Sequence, residues 1–124
     1  MFILKKEATF SLPIVFFTPA NDGGQEKNTF DAVFKMLPQT RINELSLLVE
    51  KKKKEMDEGI FDGIEISDLA IADEILVGWE GIEFEGKPYV CTTSSKKRLL
   101  DIAGLSNTLV EKYFIEVGKQ KEKN

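Results

Sequence analysis

The sequence contains no histidine and one cysteine, Cys91. Without an imidazole, the usual proton shuttle near neutral pH and the usual nitrogen ligand for zinc are both missing. Neither a Ser-His nor a Cys-His nucleophile can be assembled. A single thiol leaves no intrachain disulfide, which fits a reducing compartment. With no patterned base or partner thiol, Cys91 reads as a small, partly buried apolar side chain. Positive charge is also short: 17 Lys and Arg stand against 21 Asp and Glu, a formal charge of −4, which argues against a phosphate backbone as main partner. No run is apolar for long enough to span a bilayer. The opening MFILKKEATF puts its apolar residues ahead of its lysines and has no small-residue cleavage site, so no secretory signal is expected. No GxGxxG or GxxxxGK run follows a strand pattern, which removes the common phosphate loops. These absences predict a cytoplasmic protein that uses no cofactor and no metal, is not an enzyme, and binds neither nucleic acid nor membrane.

Carboxylates are the one catalytic resource in supply. The segment from Asp57 to Asp68 has the length of a calcium loop, but its third and fifth positions are Gly59 and Phe61, which offer no side-chain oxygen, and its sixth is Asp62 where the loop needs glycine. Glu80, Glu83 and Glu85 alternate, the spacing of the wet side of a turn or short strand.

What is present suits one domain. A chain of 124 residues, 42% hydrophobic with nine phenylalanines, buries about two thirds of its unfolded surface on folding. From Thr9, the residues Phe10, Leu12, Ile14 and Phe16 alternate with polar positions, a strand with one buried face. Pro13 cannot donate to a ladder and puts this strand at an edge or at an outward-facing position. The turn-forming stretch TPANDGGQEKN follows, and alternation resumes in Phe30, Ala32, Phe34 and Met36. The two runs make a β-hairpin over about residues 8–37 whose even-numbered face needs a cover.

Helices are predicted to supply it. Pro38 ends the hairpin, Thr40 serves as N-cap, and Ile42, Leu45, Leu48, Val49 and Met56 recur at helical spacing from about Arg41 to Asp57. Lys51 to Lys54 lie inside this helix, with Glu50 and Glu55 placed to pair at four-residue spacing on a solvated face. A second helix runs from Asp68 to about Val77, capped by Ser67, with Ile66 packing on Ile71. Gly78 reads as its C-terminal cap, Trp79 as a buried anchor whose indole N–H seeks one acceptor, and Gly81 as a turn residue. Ile82 and Phe84 then lead through a turn at Glu85 to Pro88 into a short returning arm with Tyr89 and Cys91. Ser94 or Ser95 opens a third helix that ends at Gly104. Leu105 and Val110 flank Ser106 at the start of a fourth, which carries Leu109, Val110, Tyr113, Phe114 and Val117 on one face. The fold class is therefore α+β: an N-terminal β-hairpin packed against a bundle of about four helices in a domain spanning 1–118, with 119–124 as a flexible lysine-rich tail.

This order of features resembles the tail assembly chaperones of long-tailed bacteriophages. The similarity covers nearly the whole chain: the start Phe2-Ile3-Leu4-Lys5-Lys6, the hairpin, the core Val77-Gly78-Trp79-Glu80-Gly81-Ile82, Gly86-Lys87-Pro88, then Leu99-Leu100-Asp101-Ile102 and Val110-Glu111-Lys112-Tyr113. Where that family often has Pro-Phe-Ser before the third helix, this chain has Val90-Cys91-Thr92-Thr93-Ser94. The resemblance implies a phage or prophage protein that coats the tape measure protein before the tail tube polymerises. It implies self-association, no nucleotide hydrolysis, absence from the mature virion, and recruitment of the tail tube protein, in many members through a frameshift-extended form. Val77, Gly78, Trp79, Gly81, Ile82, Gly86 and Pro88 are then structural motif residues. Leu47, Tyr113 and Phe114 are candidates for a self-association or client surface, with core packing as the alternative for each. A structural virion component, such as a tail completion or connector protein, is the competing function.

Overall fold

The computed structural model describes residues 1–59 and 68–122. Strands β1 (Thr9–Pro19) and β2 (Gln25–Lys35) form the expected hairpin, in register from Thr9 opposite Lys35 to Pro19 opposite Gln25. Its even-numbered face is the buried one: Ile14, Phe30, Ala32 and Phe34 lie in the core, and Phe10, Leu12 and Phe16 pack against it. Two backbone bonds extend the ladder at its ends, from Met36 N–H to Ala8 C=O (2.9 Å) and from Ala20 N–H to Gly24 C=O (3.0 Å). In antiparallel pairing, hydrogen-bonded residues alternate, so even-numbered residues of β1 bond to β2 and odd-numbered ones face away from it. Pro13 and Pro19 are both odd, so their missing N–H groups cost no ladder bond. The strand order β1-β2-β3 puts β1 at the sheet edge, where Pro13 led us to expect it.

The helices are α1 (Gln39–Asp57), α2 (Asp68–Ile75), α3 (Thr93–Leu100) and α4 (Leu105–Glu122), and a small second sheet pairs β4 (Glu83–Phe84) with β5 (Lys87–Pro88). The architecture is α+β, as the sequence patterning predicts, with one addition. The residues read as the end of the second helix and its cap form a third strand, β3 (Leu76–Glu80), which pairs antiparallel with β2. Gly78 is therefore no helix cap. It is not among the glycines with positive φ; it lies opposite Val33, where an added Cβ would stand 3.6 Å from the Val33 Cβ. The register slips between Val33 and Phe34, and this bulge lets the chain pass from α2 into the sheet without a loop. Gly81, by contrast, takes φ 86°, and the β4-β5 turn has Glu85 at φ 52° and Gly86 at φ 80°, the left-handed pair a two-residue hairpin requires.

Several caps differ from expectation. Thr40 lies within the first turn of α1, whose N-cap is Pro38 with no side-chain cap bond. Thr92, not Ser94 or Ser95, caps α3: its hydroxyl accepts from Ser95 N–H (3.1 Å) while Ser95 Oγ accepts from Thr92 N–H (2.6 Å), a reciprocal box built with serine at the third helical position. Ser106 sits inside α4 and its Oγ donates to Leu100 C=O (3.1 Å). Gly104, at φ 83°, makes the break between α3 and α4. The helix α4 continues past Gly118 to Glu122, where a polar tail was expected. The predicted Ser67 cap and Ile66–Ile71 contact lie outside the described residues. Of the two ion pairs expected within α1, Lys51 and Glu55 approach to 4.0 Å, while Lys52 reaches across to Asp68 at 2.8 Å. No helix among the described residues is long and apolar enough to cross a membrane.

Candidate functional site

Two groups of residues were singled out by sequence, and the structure treats them differently. The motif around Trp79 converges on a joint between sheet and helix. Trp79 is buried, its Nε1–H donates to Tyr89 C=O (2.6 Å), and the two rings stack at 5.9 Å. Phe84 tilts onto Tyr89 at 5.5 Å, and the Arg98 guanidinium stands 5.4 Å over Phe84. Tyr89 N–H donates to Ile82 C=O (2.8 Å), which extends the β4-β5 hairpin by one more pair at its base. Cys91 directs its thiol at Val77 C=O (3.7 Å), and burial pushes that thiol above its ordinary pKa, away from the thiolate a reactive cysteine needs. Gly78, Trp79, Gly81, Ile82 and Pro88 thus share one small structural unit. Glu80, Glu83 and Glu85 are all exposed.

The three candidate surface residues separate. Tyr113 is a core residue, contrary to its candidacy: it is fully buried, its hydroxyl donates to Lys35 C=O (2.9 Å) and accepts from Leu37 N–H (3.2 Å), and Phe10 and Phe34 pack on its ring. Burial raises its phenol pKa. The hydroxyl ties off the two backbone groups that the end of β2 leaves unpaired, so this side chain faces inward. Leu47 is 67% exposed and lines neither of the two hollows described below. Phe114 is half-buried and lies in a trough between α1 and α4.

That trough is the main open apolar feature. One hollow of about 290 Å³ is lined by Met36, Leu37, Ile42, Val49, Phe114 and Val117. A second, of about 700 Å³, is lined by Val49, Met56, Val110, Phe114 and Ile115, with Lys52, Lys53, Asp57, Asp68 and Glu111 among its polar walls. Val49 and Phe114 belong to both, so the two hollows are neighbours along the α1–α4 trough. Met56 and Ile115 remain 47% and 57% exposed. The helix α1, one wall of the trough, packs Ile42, Leu48 and Val49 part-buried against the core. Its only fully buried residue is Leu45, and polar contacts hold its first turn: Arg41 bonds Glu74 of α2 through both Nε (2.8 Å) and Nη2 (2.7 Å) and reaches Glu44 at 2.9 Å. The Arg41 guanidinium holds Glu74 below the usual carboxylate range. Sequence reasoning missed Ile115 and Met36 as trough residues. Val49 and Met56 were visible as a helical stripe, but spacing alone does not tell a covered stripe from an open one.

Among the described residues, every buried side-chain nitrogen and oxygen has a hydrogen-bond partner, and no three acidic or thiol side chains gather as a metal site would require. Set against family models, curated proteins and solved structures, the chain matches none.

Proposed function

We propose that the protein is a phage tail assembly chaperone, which shields the tape measure protein and helps recruit tail tube subunits without catalysing a reaction. The observation that carries this reading is the open apolar trough between α1 and α4, with Met56 and Ile115 exposed at it and Val49 and Phe114 at its floor. A long helical client has apolar stripes that aggregate when bare, and laying such a stripe into a groove between helices is a standard mode of shielding. Charged residues of both signs line it, Lys52, Lys53 and Asp57 from α1 and Glu111 from α4, which suits a client helix whose polar flanks carry mixed charge. The sequence resemblance supplies the identity of the client. The trough is the feature that supports shielding of such a client.

Coexpression with a helical fragment of the tape measure protein from the same phage or prophage tests the proposal. The fragment is expected to become soluble and to co-purify, and Ile115→Asp, which alters an exposed position, is expected to abolish co-purification while the fold persists by circular dichroism. An insoluble fragment that never co-purifies would remove the reading. Finding the chain as a stoichiometric constituent of mature particles would favour a structural virion component instead.

A further inference from the structure

Among the described residues, the most exposed apolar stretch is residues 1–4. Met1, Phe2, Ile3 and Leu4 are 115%, 83%, 68% and 87% exposed, four consecutive apolar side chains in water with no packing to stabilise that arrangement. They enter the fold at the mouth of the smaller hollow. Ala8 C=O accepts from Met36 N–H at 2.9 Å, and Met36 with Leu37 lines that hollow. Two residues further on, Phe10 stacks on Tyr113 at 5.7 Å, one helical turn before Val117 and Gly118, which line the same hollow. An extended chain advances about 3.3 Å per residue, so Leu4 can lie anywhere within about 13 Å of Ala8. Lys5 and Lys6 follow the apolar residues, and Glu50 stands among the residues lining the hollow, so charge favours the same seat. At about 290 Å³ this end of the trough suits single side chains from an extended segment, whereas the end of about 700 Å³ has room for a helix face.

We infer that Phe2, Ile3 and Leu4 form a strap that folds into the hollow of their own chain, against Met36, Ile42, Val49 and Val117. In this structure the segment stands clear of the hollow, so the seated arrangement is a second one within its reach. Seating it removes apolar surface on both sides from water, and it occupies one end of the trough that a client helix would enter. The seat stands on the geometry alone; the competition with a client rests on the function proposed above.

Leu4→Cys with Ile42→Cys, in a Cys91→Ser background, tests the seat. Mild oxidation is expected to give an intrachain disulfide, read as a faster-migrating monomer on a non-reducing gel, while the control pair Leu4→Cys with Leu47→Cys stays reduced. An interchain dimer would show that a second copy supplies the segment, and linking no faster than the control would show that nothing seats there; either overturns the inference. If the Cys91→Ser chain does not fold, the natural chain decides. Deleting residues 2–4 is expected to shift the Ile42 and Val117 methyl resonances, and unchanged resonances overturn the strap. The same deletion is expected to tighten binding of a tape measure fragment about threefold or more, since a site blocked for part of the time loses apparent affinity by that fraction. Equal affinity would overturn the competition. A fragment that binds neither form would remove the proposed function while the disulfide result still stands.

Discussion

Helices α1 and α4 are nearly the same length, 19 and 18 residues, and lie on either side of one trough. They are attached to the molecule by different physics. The helix α4 buries Leu105, Leu109, Val110 and Tyr113, and Tyr113 alone touches Phe10, Phe34 and two backbone groups at the end of β2. The helix α1 buries only Leu45 fully, packs Ile42, Leu48 and Val49 part-buried against the core, and holds on further through Arg41 to Glu74 and Lys52 to Asp68. Apolar burial is worth about 25 cal/mol for each Å² and does not depend on angle, whereas partly exposed ion pairs contribute little and fade with salt. One wall of the trough is therefore part of the core, and the other is a hinged wall of low local stability. A groove of this construction can widen for an occupant without unfolding the domain.

The largest test of that contrast is a pair of truncations. Leu109→Ala in α4 is expected to cost about 2–5 kcal/mol and to lower the cooperative melting transition of the whole domain. Leu45→Ala in α1 removes a side chain of the same size and burial, yet it is expected to speed hydrogen exchange mainly within 39–57 and to shift the global transition less. Equal and fully cooperative losses in both variants would break the distinction between a core wall and a hinged one.

Tyr113→Phe comes next. It keeps the ring and removes the hydroxyl that Leu37 N–H and Lys35 C=O share. Leaving those groups unpaired in the interior is expected to cost about 1–3 kcal/mol in denaturant unfolding, whereas a loss near zero would mean that water replaces the hydroxyl. A smaller effect separates the two glycines beside Trp79. Gly81→Ala forces a side chain into the left-handed region and is expected to cost about 1–2 kcal/mol. Gly78→Ala places its Cβ at ordinary contact distance from Val33, without a positive φ, and is expected to be neutral or stabilising by up to about 1 kcal/mol. A costly Gly78→Ala would restore the helix-cap reading of that residue.

Gly78 also shows where the sequence stops being legible. The hairpin could be read because alternation is local, and Pro13 marked the edge because a missing donor has a positional meaning that needs no distant partner. The third strand could not. Ile71, Ala72, Ile75 and Leu76 continue a helical stripe, and what turns Leu76–Glu80 into a strand is pairing with β2, more than forty positions earlier in the chain. The trough was half legible for a similar reason. The apolar stripes of α1 and α4 follow from spacing, but whether two stripes meet or stand apart depends on how α1 is tethered. That is decided by Arg41 and Glu74, which carry no periodic signal.

The smallest expected effect bears directly on this tether. Arg41 lowers the pKa of Glu74 from the ordinary 4.5, so the bond favours the folded arrangement at pH values above the unfolded carboxyl's and is lost as pH falls through the lowered value. Hydrogen exchange across 39–57 should therefore rise at acid pH relative to α4 in the same sample, where burial holds Leu109 and Tyr113 in place. Glu74→Gln, which keeps the shape and removes the charge, should raise exchange in α1 already at neutral pH and flatten its acid dependence. High salt should reproduce part of that loosening in the natural chain and act less on the variant, which keeps the Lys52–Asp68 pair but lacks the Arg41–Glu74 one. Acid loosening of the two helices in parallel would mean that apolar contact, rather than the Arg41–Glu74 pair, holds α1 to the domain, and the trough would then be a rigid slot with a fixed width.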